Sequence, residues 1–184
     1  MISNIPIVLT CFRIFVIPVF IFVFFIPGEL GKWLSCFVFV IAAFTDYLDG
    51  KLARSFNKET KLGALLDPIA DKIMVSVALV LLIHINAIKD LTLYAAIIII
   101  SREILVSGLR EFLAKSQVPL PVSSLSKVKT FIQMFAISVL LSGEPGNDLL
   151  FGYGRDLGLS SLWFAAAITV YTGYEYLRTG LKYT

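Results

Sequence analysis

The chain has 184 residues, of which 58% are hydrophobic and 16% charged, and its mean hydropathy is +0.86. A soluble domain of this size does not carry so apolar a composition, so these values exclude one and point to an integral membrane protein. The formal net charge of +3 is too small, and the basic residues are too scattered, to suggest a nucleic-acid partner.

A spanning helix needs about 20 apolar residues, so the chain has room for about six spans and little else. The expected fold is therefore all-α: one membrane domain over residues 1–184, built as a bundle of six transmembrane helices. Turn and charge signals place those helices at residues 5–26, 32–56, 62–85, 88–115, 122–142 and 158–179. Pro27-Gly28, Asn86, the stretch from Pro119 to Pro121, and the stretch from Gly143 to Gly158 are the breaks. The first segment lacks a basic n-region and a small-residue cleavage site and carries Arg13 in its interior, so it reads as a retained span rather than a signal peptide.

Basic residues mark alternate connections. Lys51, Arg54, Lys58 and Lys61 lie in one, Lys115, Lys127 and Lys129 in another, and Arg178 and Lys182 in the tail. The intervening connections hold only Lys32, Lys89 and Arg155, and the positive-inside rule then puts both termini in the cytoplasm. Cys11 and Cys36 fall in apolar segments, where a packed thiol is the default rather than a disulfide. Trp33, Trp163, Tyr171, Tyr174 and Tyr176 stand near segment ends and read as interfacial anchors. His84, at the far end of the third segment, reads as a structural or interfacial histidine, and the small residues Ala165 to Ala167 as a helix-packing surface.

The chemistry concentrates between Asp46 and Asp71, in DYLDGKLARSFNKETKLGALLDPIAD. Residues three and four apart share a helix face, so Asp46 and Asp49 line one helix while Asp67 and Asp71 line the next. Four carboxylates brought together repel one another, and divalent cations would let all of them stay ionised. A donor set of oxygens favours Mg²⁺ or Mn²⁺ over zinc, and hard cations of that kind usually handle phosphates. Gly50 follows Asp49 at a helix penalty of about 1 kcal/mol, as expected where a diphosphate presses against the backbone. Arg54, one turn on, can fork onto phosphate oxygens, and Gly63 precedes Asp67 by one turn. The plainer alternative is a set of salt bridges with Lys51, Lys58, Lys61 and Lys72, which explains neither the glycines nor the doubled carboxylate spacing.

As a pattern these residues read D-x-x-D-G-x-x-A-R, eight residues, then G-x-x-x-D-x-x-x-D, filled by Asp46, Asp49, Gly50, Ala53, Arg54, Gly63, Asp67 and Asp71. The pattern resembles the signature of the CDP-alcohol phosphotransferase family of integral membrane enzymes. The stretches NIP (Asn4 to Pro6), LT-x-x-R (Leu9 to Arg13), SREILVSGLREF and SKVKTFIQM are similar to the bacterial phosphatidylglycerophosphate synthase branch. Residues 143–184 carry no diagnostic motif. One departure is visible: many relatives have a second Asn after the proline, where this chain has Ile7.

Arg102 and Arg110 lie eight residues apart, near one face of the fourth helix, and Lys127 and Lys129 enter the fifth from the same side. Converging cations with too few acidic partners make an anion site, here expected for a phosphorylated acceptor. Glu103 and Glu111 flank the arginines, but adjacent helical residues point about 100° apart and are expected to pair poorly.

The resemblance implies transfer of the phosphatidyl group from CDP-diacylglycerol to sn-glycerol 3-phosphate, in a homodimer at the bacterial inner membrane with its active site facing the cytoplasm. It further implies two metal ions on Asp46, Asp49, Asp67 and Asp71, with Asp71 also the base. Gly50, Arg54 and Gly63 would seat the cytidine diphosphate with Asn4, Pro6 and Thr10, and Arg102, Arg110, Lys127 and Lys129 would hold the acceptor phosphate. Alternatives are the same chemistry on inositol phosphate, serine or phosphatidylglycerol, a cation transporter using intramembrane carboxylates, and a silent assembly protein.

Overall fold

The computed structural model of the chain describes residues 5–56, 61–115 and 124–180, and within them the side chains of residues 14–45, 72–113 and 125–180. Among these residues the only regular structure is helical: α1 (Ile5–Phe24), α2 (Gly28–Phe56), α3 (Lys61–His84), α4 (Thr92–Lys115), α5 (Ser124–Leu149) and α6 (Gly154–Gly180). Six transmembrane helices were expected, and the described residues form six helices.

The breaks follow local chemistry. Pro27 cannot continue α1, and Gly28 turns the chain into α2 with φ of 86°. Between α3 and α4, Asn86 and Asp90 take positive φ, and the Thr92 hydroxyl accepts from the Lys89 amide at 3.1 Å, so α4 begins at Thr92 rather than at residue 88.

The expected stop after residue 142 is corrected. Gly143 does leave helical geometry, with φ of 59° and ψ of −141°, but the chain resumes helix at once and runs to Leu149. Pro145 suits that restart, because the amide it lacks would have no partner in a first turn. The real turn lies at residues 150–153, where Phe151 and Gly152 have positive φ and the Gly152 amide donates to the Asn147 carbonyl at 2.8 Å. A Cβ at position 143 would stand 2.9 Å from Lys32 Cδ, and the Lys32 ammonium donates to Glu144 Oε2 at 2.9 Å, tying this kink to the start of α2.

Large apolar side chains point outwards as well as inwards. Phe22 and Phe131 are 76% and 73% exposed, while Phe20, Phe39, Leu79, Leu82 and Ile137 are fully buried. A surface of this kind belongs in lipid. Among the described residues three helical stretches are long and apolar enough to cross a membrane: Gly28–Thr45, Thr92–Leu113 and Leu125–Leu149. Ile14–Phe24 and Lys72–His84 are shorter apolar stretches, so three spans rather than the expected six are identified directly. The chain is a membrane protein.

Lipid tails are as apolar as leucine, so burial alone does not drive helix pairing in a bilayer; close van der Waals contact and hydrogen bonds must do it. α6 supplies that contact with small residues. Gly158, Ala165, Ala166, Thr169, Thr172, Gly173 and Gly180 are all buried on it, while Ala167 is exposed. α6 packs most extensively on α5 and next on α4; α5 also packs on α2, and α1 lies against α2 and α3. Cys36 donates its thiol hydrogen to the Ser138 carbonyl at 3.3 Å, across the α2–α5 contact, and serves packing as expected. His84 closes α3 with its ring 5.8 Å from that of Phe25, a structural contact.

Candidate active site

Asp46, Asp49, Gly50 and Arg54 occupy the last turns of α2, and Gly63, Asp67 and Asp71 the first turns of α3. The two helices touch. Helical spacing keeps each aspartate pair on one face of its helix. The side chains of all seven, like those of Pro6 and Thr10 on α1, lie outside the described residues, and so does Asn4 altogether. Among the described residues no group of three His, Cys, Asp or Glu side chains stands together. Four carboxylates on two helices in contact would offer an all-oxygen donor set, the kind that Mg²⁺ or Mn²⁺ prefers.

The basic residues singled out in the sequence are seen in side-chain detail. α3 and α4 are in contact and joined by the short stretch 85–91, so α4 runs back and ends level with the start of α3. Arg102 and Arg110 lie on this returning helix, and both converge on Tyr176 of α6. Arg110 Nη2 donates to the Tyr176 hydroxyl at 2.6 Å, and its Cζ stands 4.8 Å from the ring centroid. Arg102 Cζ lies 5.5 Å from the same centroid, and its Nη2 donates to Thr172 Oγ1 at 3.0 Å. Tyr176 is thus a shared platform for two guanidiniums, held by cation–π attraction and one charge-assisted hydrogen bond. Its hydroxyl also lies 3.3 Å from Ser126 Oγ on α5. A Cβ at Gly173 would press on Arg102 Cγ at 3.1 Å, so this glycine lets α6 approach the arginine.

Lys129, 3% exposed, donates to Glu103, and Glu103 Oε1 is also 3.6 Å from Arg102 Nη1. Here the expectation that sequence neighbours pair poorly is corrected. The 100° offset aims Arg102 at α6 and Glu103 at α5, yet both side chains are long enough to meet in the seam between those helices. Arg102 and Arg110 thus meet on Tyr176, and Arg102 and Lys129 on Glu103. Lys127 is exposed and sits about 200° round α5 from Lys129, on another face.

Tyr176 is a second correction. It is 5% exposed and bonded to Arg110, so it is no interfacial anchor, whereas Trp33, Trp163, Tyr171 and Tyr174 are exposed as anchors are. Thr172 and Ser126 were not singled out in the sequence either. Ser126 heads the SKVKTFIQM stretch, and the further sequence signal is spacing: Ser126 and Lys129 on α5, and Thr172 and Tyr176 on α6, repeat at helical intervals that face the arginines.

The CDP-alcohol phosphatidyltransferase family matches residues 3–171 of the chain. The chain belongs to this family. Among its relatives, a Rickettsia felis protein is 43% identical over 181 residues, covering 98% of this chain and 97% of its own length. One from Rickettsia bellii is 44% identical over 181 residues, with 98% and 97% covered. One from Pectobacterium atrosepticum is 41% identical over 177 residues, with 95% and 93% covered. All three are named CDP-diacylglycerol--glycerol-3-phosphate 3-phosphatidyltransferase. The family match takes in both aspartate pairs, both arginines and Lys129, and ends just before Thr172 and Tyr176. The platform under the arginines is therefore built by a part of the chain beyond the matched stretch.

Proposed function

We propose that this chain transfers the phosphatidyl group of CDP-diacylglycerol to sn-glycerol 3-phosphate, yielding phosphatidylglycerophosphate and CMP. What carries the reading is the set of relatives of that name, 41 to 44% identical over nearly the whole chain. The basic cluster of α4, α5 and α6 supports the acceptor half of it, because a phosphomonoester is what planar guanidiniums and a buried ammonium bind best.

Asp46, Asp49, Asp67 and Asp71 hold one or two Mg²⁺ or Mn²⁺ ions, which when bound neutralise the diphosphate of the donor. Gly50 and Gly63 leave room for the cytidine diphosphate beside the backbone, and Arg54 binds its phosphate oxygens, with Asn4, Pro6 and Thr10 completing that pocket. Arg102, Arg110 and Lys129 fix the acceptor phosphate, and exposed Lys127 draws the anion towards them. Asp71 takes the proton from the acceptor's primary hydroxyl as its oxygen bonds to the phosphatidyl phosphorus. The bond from that phosphorus to the CMP oxygen breaks, and CMP leaves with the electron pair. No Ser, Cys or His nucleophile enters, so the displacement is direct.

All six helices cross the bilayer, with both termini and the site on the cytoplasmic side of a bacterial inner membrane, where a soluble acceptor meets a lipid donor. The basic connections support this orientation. A homodimer is the assembly implied by the family resemblance. Purified protein given CDP-diacylglycerol, glycerol 3-phosphate and Mg²⁺ is expected to release CMP, and a chelator to stop it. Release that depends on another alcohol instead, or that ignores the chelator, would refute the reading.

A further inference from the structure

The polar seam between α5 and α6 continues one turn past the residues used above. Ser126 meets Tyr176, while further along α5 Leu140 meets Gly158, so the two helices run antiparallel. Seven residues on from Ser126 and seven back from Tyr176, this register sets Gln133 level with Thr169. Gln133 is 2% exposed and Thr169 fully buried. Neither Gln133 Oε1 nor Thr169 Oγ1 has a hydrogen-bond partner among the described residues, and the buried Nε of Arg102 has none there either. The Nε of Arg102 stands beside Gly173, one turn along α6 from Thr169, and its Nη2 is held by Thr172. Buried polar atoms are nearly always partnered, and three open ones within about one helical turn of one seam mark a place where something else bonds.

We propose that Gln133, Thr169 and the Nε of Arg102 form a subsite for a hydroxyl group of a polyol phosphate, namely the C2 hydroxyl of glycerol 3-phosphate. The inference rests on the reading of Arg102, Arg110 and Lys129 as the acceptor-phosphate site. A secondary alcohol both donates and accepts. It donates to Gln133 Oε1 and accepts from Arg102 Nε, while the Thr169 hydroxyl serves in either sense. Gln133 lies four residues past Lys129, about 6 Å of helix rise, a distance within reach of a three-carbon phosphate whose head is bound by the cations. The subsite selects acceptors carrying a hydroxyl next to the reacting carbon.

The test compares kcat/KM for sn-glycerol 3-phosphate and for 3-hydroxypropyl phosphate, which lacks only the C2 hydroxyl, in the full chain. The wild type is expected to prefer the natural acceptor by about a hundredfold or more, as sites that bond a hydroxyl do. Gln133→Leu and the near-isosteric Thr169→Val should each shrink that preference at least about tenfold, through loss on glycerol 3-phosphate alone, with the KM for CDP-diacylglycerol unchanged. An unchanged preference in Thr169→Val, or an equal fall on both acceptors, overturns the subsite. A wild type that uses glycerol 3-phosphate without preferring it overturns the subsite and leaves the proposed reaction standing. A wild type that uses neither acceptor overturns both.

Discussion

The Asp71→Asn variant is expected to lose phosphatidyl transfer by at least about a thousandfold while still binding CDP-diacylglycerol. A primary alcohol is too weak an acid to attack phosphorus unaided, and a positioned base typically contributes about 10²- to 10⁴-fold. Asparagine keeps the shape and one oxygen but cannot take the proton. Asp71 lies four residues after Asp67 on α3, so three carboxylates remain for the ions and the nucleotide pocket keeps Gly50, Arg54 and Gly63. CMP release and equilibrium binding of CDP-diacylglycerol, measured side by side, separate the two effects. A variant that keeps more than about a tenth of wild-type turnover would remove Asp71 as the base.

Arg110→Ala should raise the KM for glycerol 3-phosphate about ten- to hundredfold and leave that for CDP-diacylglycerol within about twofold. The range follows from about 1.5–3 kcal/mol for a hydrogen bond to a charged group, at 1.4 kcal/mol per tenfold. Arg110 is poised by Tyr176, which accepts from Nη2 at 2.6 Å and lies under the guanidinium. Tyr176→Phe keeps the ring beneath both arginines and removes only the acceptor oxygen, so a smaller rise in the same KM, about threefold to tenfold, is expected. Steady-state kinetics with each substrate varied in turn reads both variants. Equal effects on donor and acceptor in Arg110→Ala would mean that the cluster does not serve the acceptor.

Helix ends could be read where turn-forming residues stand. Pro27-Gly28 and Asn86 are such residues, and the chain turns at both, with positive φ at Gly28 and Asn86. Gly143 and Pro145 misled because each interrupts a helix locally while together they allow it to restart, Gly143 leaving helical geometry and Pro145 falling in the first turn of the resumed helix. The basic cluster could be read in outline, since Arg102 and Arg110 share a face. Its partial pairing with Glu103 could not, because adjacency on a helix says nothing of two long side chains meeting in a seam supplied by a third element. Tyr176 was hidden for a related reason. An aromatic near the end of an apolar segment has the same sequence signature whether it faces lipid headgroups or lies beneath a guanidinium, and only the packing of α6 on α4 distinguishes the two.

The account depends on the acidic residues of α2 and α3 gathering divalent cations, and the number of Mn²⁺ ions bound per chain tests it most directly. Electron paramagnetic resonance on purified protein at neutral pH should find one or two bound ions per chain, as phosphoryl-transfer sites of this type hold. In the Asp46→Asn, Asp67→Asn double variant that binding should disappear. Manganese held as tightly by the double variant as by the wild type, or no manganese held by either, would contradict it.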